Sequence, residues 1–205
     1  MSQSRRFRTL ENRIAQLRQA FLPRVFSPTG SYNQLTLDRA RAFRVLAHAE
    51  FESFIEEAVH AGVDRAVKIW QTSGKTTLPL LGIISSYERK DRINDFSKYP
   101  RNTPPTIDTI IRKLFRHFEH NKNNNNSIRI NNILSLLSQV GIFAASLDPN
   151  WLGAIDAFGV ARNLVAHSTG ARAYVTYQTD PRSIDQSAHI IIAGMQYIDT
   201  KIREI

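Results

Sequence analysis

Apolar residues recur along this chain at helical rather than strand spacing. Leu10, Ile14, Leu17 and Phe21 fall on one helical face and predict a first helix over 4–22. Pro23, Pro28 and Gly30 end it. Phe43, Ala47, Phe51, Phe54 and Ala58 predict a long second helix over 35–71, weakened locally by Gly62 and stopped by Ser73-Gly74. No period is readable over 76–104: Leu78 to Ile84 is apolar, Glu88 to Arg92 is charged, and Pro100, Pro104 and Pro105 mark a loop. Ile107, Ile110, Ile111, Leu114, Phe115 and Phe118 predict a helix over 106–120, and Ile130, Ile133, Leu134, Leu137 and Val140 another over 128–140. The polar run Asn121 to Asn126 between them reads as a loop. Asp148-Pro149 supplies a capping residue followed by a helix-compatible proline, opening a helix that runs to 167 and stops at Ser168-Thr169-Gly170. Ala173 to Tyr177 alternates and reads as extended. Asp180-Pro181 repeats the start signal for a last helix over 182–203, supported by Ile184, Ile191, Met195, Ile198 and Ile202. The pattern predicts an all-α bundle in a single domain, 1–205, with about 76–147 as a mainly helical insert. No internal repeat is visible.

Composition removes several function classes. Without cysteine there are no disulfides, thiolate nucleophiles or cysteine-based zinc sites. No stretch of 18 uncharged apolar residues exists, so no membrane span is expected. Met1 to Arg8 is basic and lacks an apolar core, which argues against a secretory leader, and cytoplasmic residence is the default expectation. The formal net charge is +9, a balance that favours a polyanionic partner, nucleic acid above all. The excess is concentrated at the start. Arg5, Arg6, Arg8, Arg13, Arg18 and Arg24 face only Glu11 within residues 1–24. The first five are candidates for non-specific phosphate contacts, or else a solvated basic face.

The segment 150–170 carries the candidate chemistry. On a helical wheel, Trp151, Ile155, Phe158, Ala161 and Val165 share the core side, while Asp156, Asn163 and His167 share the opposite one. Arg162 is a misfit, placed near the apolar direction between Ile155 and Phe158. A charge there needs an anion or a route outwards. Glu50 is a similar misfit on the second helix, between Leu46 and the Phe43/Phe54 stripe. The two are expected to lie within hydrogen-bond or one-water reach, inside one subunit or across a dimer. The competing expectation is that both merely flank the core and reach solvent.

Other motifs are weaker. His48, His60, His117, His120 and His189 are scattered, and His117 with His120 lacks an evident third ligand, so no metal site is assigned. Ser73-Gly74-Lys75-Thr76 has the end of a phosphate-loop pattern but neither the upstream glycine nor the preceding strand, and reads as a turn.

The stretch A-R-N-L-V-A-H-S, Ala161 to Ser168, resembles the signature of the HEPN superfamily: an arginine, commonly followed by a polar residue, then a histidine after four to six positions. The stretch Leu46 to Glu57, L-A-H-A-E-F-E-S-F-I-E-E, is similar to the first long helix of the RiboL-PSP-HEPN-like branch, and the layout before L-S-Q-V-G-I at 137–142 is similar as well. The resemblance implies a HEPN-type helical bundle that dimerises and brings two such motifs together. It implies metal-independent endoribonuclease activity in toxin or anti-phage systems, with an antitoxin or regulatory protein as partner and no cofactor. Some members are catalytically silent and bind RNA, nucleotide or a partner protein, which is the alternative function. The chemistry is consistent with the residue types. RNA carries its own 2′-hydroxyl nucleophile. An imidazole with a pKa near ~6.5 serves as acid or base at neutral pH, and an arginine stabilises developing phosphate charge. Asn163, one turn before His167, is placed to orient the imidazole or bind phosphate. Arg162, Asn163 and His167 are therefore the catalytic candidates, with Glu50 in support.

Overall fold

A computed structural model of the chain describes residues 3–90, 106–122, 128–167 and 180–204. Seven α-helices lie within them: α1 (Arg5–Phe21), α2 (Gln34–Ser73), α3 (Leu78–Lys90), α4 (Ile107–Lys122), α5 (Ile130–Ser138), α6 (Pro149–His167) and α7 (Pro181–Arg203), with a short 3₁₀ turn at Ala144–Ser146. The described residues contain no strand. The predicted extended stretch at 173–177 and the Gly170 stop lie outside them.

Local chemistry sets the helix ends. Ser4 Oγ accepts from the Phe7 amide at 3.0 Å, and Asn33 Oδ1 from the Thr36 amide at 2.8 Å, so each satisfies an amide left over at a helix start. Asp180 caps the amides of Arg182 and Ser183, with Pro181 in the first turn of α7. Gly74 ends α2 at φ 68°, a left-handed conformation that favours glycine, and its amide donates to the Trp70 carbonyl at 2.8 Å. The Ser73–Thr76 stretch is thus a helix stop, as its sequence suggests.

α2 is the axis of the bundle. Its 40 residues span about 60 Å at 1.5 Å per residue. α1, α3, α4, α5, α6 and α7 all pack against it. Phe7 of α1 meets Phe54 edge to face, ring centres 6.0 Å apart. α7 closes the bundle from the other end of the chain. Arg18 Nε donates to Asp185 Oδ1 at 2.9 Å, and the Ser4 amide to Asp199 Oδ2 at 3.1 Å. Trp151 of α6 is buried, and its indole Nε1 donates to the Ile191 carbonyl at 3.0 Å. It lies flat against Gly194 of α7, where a Cβ would overlap the indole ring. α3, which sequence periodicity left unassigned, docks through Gly82, where a Cβ would strike the Gln139 carbonyl just beyond α5. That close approach, together with the buried Leu80 and Ile83, fixes the helix. No helix among the described residues is long and apolar enough to cross a membrane.

Candidate active site

The site lies where α6 crosses α2. Phe158 of α6 meets Phe51 of α2 edge to face, ring centres 5.7 Å apart. The Arg44 guanidinium sits over the Phe158 ring, 5.9 Å from its centre. One turn beyond Phe158, Arg162 is half-buried, as its position on the apolar edge requires. Its Nη1 donates to Asn163 Oδ1 at 3.1 Å, while its buried Nε has no hydrogen-bond partner in the chain. His167 is the last residue of α6, about one and a half turns further on. Its side chain lies outside the described residues.

Facing this end of α6 is a polar stripe of α2 formed by Arg41, Arg44, His48 and Glu52, at i, i+3, i+7 and i+11. His48 is only 1% exposed, and neither ring nitrogen has a hydrogen-bond partner. Burial first, and the Arg162 charge second, hold its pKa down to about 4, so the ring is neutral at pH 7. Glu52 Oε2 is 3.9 Å from His48 Nδ1, and Glu52 Oε1 is buried without a partner. Burial and the neighbouring Glu56 push the Glu52 carboxyl up, while Arg162 pulls it back down. Burial, and then Arg41, lower the pKa of the Arg44 guanidinium, whose Nε also lacks a partner.

The structure rearranges the sequence expectations. Within one chain Glu50 does not face Arg162. It accepts from Arg13 Nε of α1 at 3.0 Å. Glu50 and Glu52 are two positions apart on a helix and so point to opposite sides of it. Among the described residues, an acidic group close enough to interact with Arg162 is Glu52. Sequence reasoning left His48 among scattered histidines. The readable signal was the 41-44-48-52 stripe, which gains meaning only once α6 is laid against it. Asp156, expected on the same open stripe as Asn163 and His167, is instead an anchor for α5. It accepts from the Ile130 amide at 3.1 Å and from Arg129 Nε at 2.9 Å, and that amide bond, with Arg129 in support, outweighs burial to lower its pKa.

The arginines of α1 are also largely engaged. Arg13 binds Glu50, Arg18 binds Asp185, and Arg6 Nε lies 3.7 Å from Glu57 Oε2. Arg5 and Arg8 are exposed. Glu50 and Glu57 lie on the side of α2 opposite His48 and Glu52, so within one chain α1 does not flank the Arg162 site. His60 meets Glu119 at 3.4 Å. Among the described residues no group of three or more histidines and carboxylates is arranged to hold a metal.

No curated protein and no solved structure matches the chain. The model of the RiboL-PSP-HEPN family matches it over residues 8–204, which takes in all seven helices but the first residues of α1 and includes the Arg162–His167 segment. In its all-helical architecture and over nearly its whole length, the chain belongs to the RiboL-PSP-HEPN family.

Proposed function

We propose that this protein is a metal-independent endoribonuclease whose site is completed by a second copy of the chain. Membership of the HEPN family is consistent with ribonuclease-type or nucleotide-related function. The observation that carries the finer reading is the half-buried Arg162, held to Asn163 through one terminal nitrogen with its Nε unpartnered, one and a half turns before His167. A guanidinium with donors to spare suits a phosphate. In the reaction, the 2′-oxygen attacks phosphorus as its proton passes to one imidazole. The bond from phosphorus to the 5′-oxygen breaks as a second imidazole protonates that oxygen. The products are a 2′,3′-cyclic phosphate and a 5′-hydroxyl. One His167 supplies one proton transfer, and a two-fold dimer with the C-terminal part of α6 at its interface supplies both. Arg162 stabilises the charge that develops on the phosphorane. Base, acid and cation come from side chains, so no step requires a divalent ion. Arg5 and Arg8 add to the basic field that attracts a polyanion. On this reading the protein acts as a toxin or anti-phage effector restrained by a partner protein.

The test is single-turnover RNA cleavage in excess EDTA, comparing the wild type with His167→Ala. The wild type should cleave and leave 5′-hydroxyl ends, and the variant should not. Loss of wild-type activity in EDTA, or 5′-phosphate products, would remove the mechanism. Light scattering should give a dimer at micromolar protein; a strict monomer would remove the composite site.

A further inference from the structure

The strongest unexplained feature of the molecule is its set of buried polar atoms without partners. Seven such atoms occur among the described residues, and five belong to the α2–α6 crossing: Arg44 Nε, both ring nitrogens of His48, Glu52 Oε1 and Arg162 Nε. A folded protein pairs nearly all of its buried polar groups, so a local concentration of orphans marks a site built for something other than stability.

Four of the five are complementary. Glu52 offers an acceptor. A neutral imidazole offers one donor and one acceptor. Arg162 Nε offers a donor. Glu52 Oε2 is 3.9 Å from His48 Nδ1, one turn along the same helix, which directs the Nδ1 edge to the carboxylate and leaves Nε2 for the other neighbour. The Arg162 charge acts on both residues. Resting on the ribonuclease reading above, we propose that Glu52 and His48 form a positioning relay for Arg162. His48 Nδ1–H donates to Glu52, and Arg162 Nε–H donates to His48 Nε2, directly or through one water, when RNA phosphate occupies the terminal guanidinium nitrogens. The relay fixes the plane of the guanidinium while Asn163 holds one of its edges. His48 and Glu52 touch no substrate. They act through Arg162, as outer residues act through the ligands of a metal.

His48→Phe separates this role from a structural one. Phenylalanine keeps a planar ring in the cavity and removes two orphaned nitrogens, so it should leave the melting temperature unchanged or raise it. The relay predicts that single-turnover cleavage nonetheless falls about tenfold to a hundredfold. Glu52→Gln, which keeps the shape and an acceptor oxygen but loses the charge, should lower the same rate constant and raise the half-saturating RNA concentration less. Wild-type rates in a normally melting His48→Phe protein would overturn the proposal. A second measurement is independent of activity: long-range proton–nitrogen spectra of the histidine rings at pH 7 should show His48 protonated on Nδ1. The Nε2–H tautomer, or a charged ring, would overturn the relay even if RNA is cleaved. If His167→Ala cleaves like the wild type while His48 shows the Nδ1–H tautomer, the ribonuclease reading fails and the hydrogen-bond assignment stands.

Discussion

His48 should make the folded protein sensitive to mild acid. Its ring is neutral in the native state with a pKa near 4, against 6.5 for the free side chain. Between these values the unfolded chain binds a proton that the native chain refuses, so stability rises with pH across the window. The contribution is fully present above pH 6.5, declines as the pH falls, and is lost below 4. At about 1.4 kcal/mol per pKa unit the full loss is about 3 kcal/mol, of which about 2.5 kcal/mol has gone by pH 4.5. For a chain of this length that corresponds to a melting temperature lower by about 5–10 °C. Two neighbours modulate the effect. Arg162 adds positive charge that opposes protonation of the ring. Glu52, whose own pKa is raised, takes up a proton more readily in the native state than in the unfolded chain and offsets part of the loss. Urea melts at pH 7 and 4.5 on the wild type and His48→Phe isolate the imidazole, because the other histidines and carboxylates titrate in both. The wild type should lose about 2.5 kcal/mol more than the variant. Equal losses would show that no neutral, desolvated imidazole occupies this position.

Other substitutions test the packing and the corrected charge pairs. Gly194→Ala should cost at least about 1–3 kcal/mol in a thermal melt, because the new Cβ overlaps the indole of Trp151, which is buried and tied to the Ile191 carbonyl. Gly153→Ala, on the exposed side of α6 with nothing within 4 Å of the new Cβ, should instead stabilise by about 0.5–1 kcal/mol. Glu50→Ala removes a surface pair with Arg13 and should change stability by no more than about 1 kcal/mol, with RNA cleavage unaltered. Arg18→Ala strands the Asp185 carboxylate, whose side chain is 12% exposed, and should cost about 1–3 kcal/mol in a urea melt, leaving RNA affinity unchanged in a filter-binding assay.

The helices that could be read from sequence were those whose order is local. α1, α2 and α7 have a periodic apolar face and a capping residue at Ser4, Asn33 or Asp180, and for these, pattern and cap agree. α3 buries only a short apolar pair, Leu80 and Ile83, and its place also depends on Gly82 reaching the backbone at Gln139, a contact between segments far apart in the chain. The same divide runs through the site. Arg162 on an apolar edge is a property of one helix and was visible on a wheel. Which acidic residue it meets depends on how two helices cross. A wheel shows that Glu50 is misplaced but not that α1 will bring Arg13 to it. His48 and Glu52 looked ordinary because burial of the α2 face that bears them is imposed by α6.

The position of α7 bears on what a shortened chain can form. This helix follows all the other described helices, yet it supplies the partner for Arg18, the acceptor for the Ser4 amide and the carbonyl that holds Trp151. A chain that stops after α6 contains Arg162 and most of its surroundings, but the α1, α2 and α6 surfaces that α7 covers remain open to water. Without α7, the crossing of α6 over α2 lacks the clamp at Trp151. The Arg162 site should therefore become ordered only once α7 is present, and truncation before residue 180 should yield an aggregation-prone product with exposed apolar faces rather than a smaller working domain.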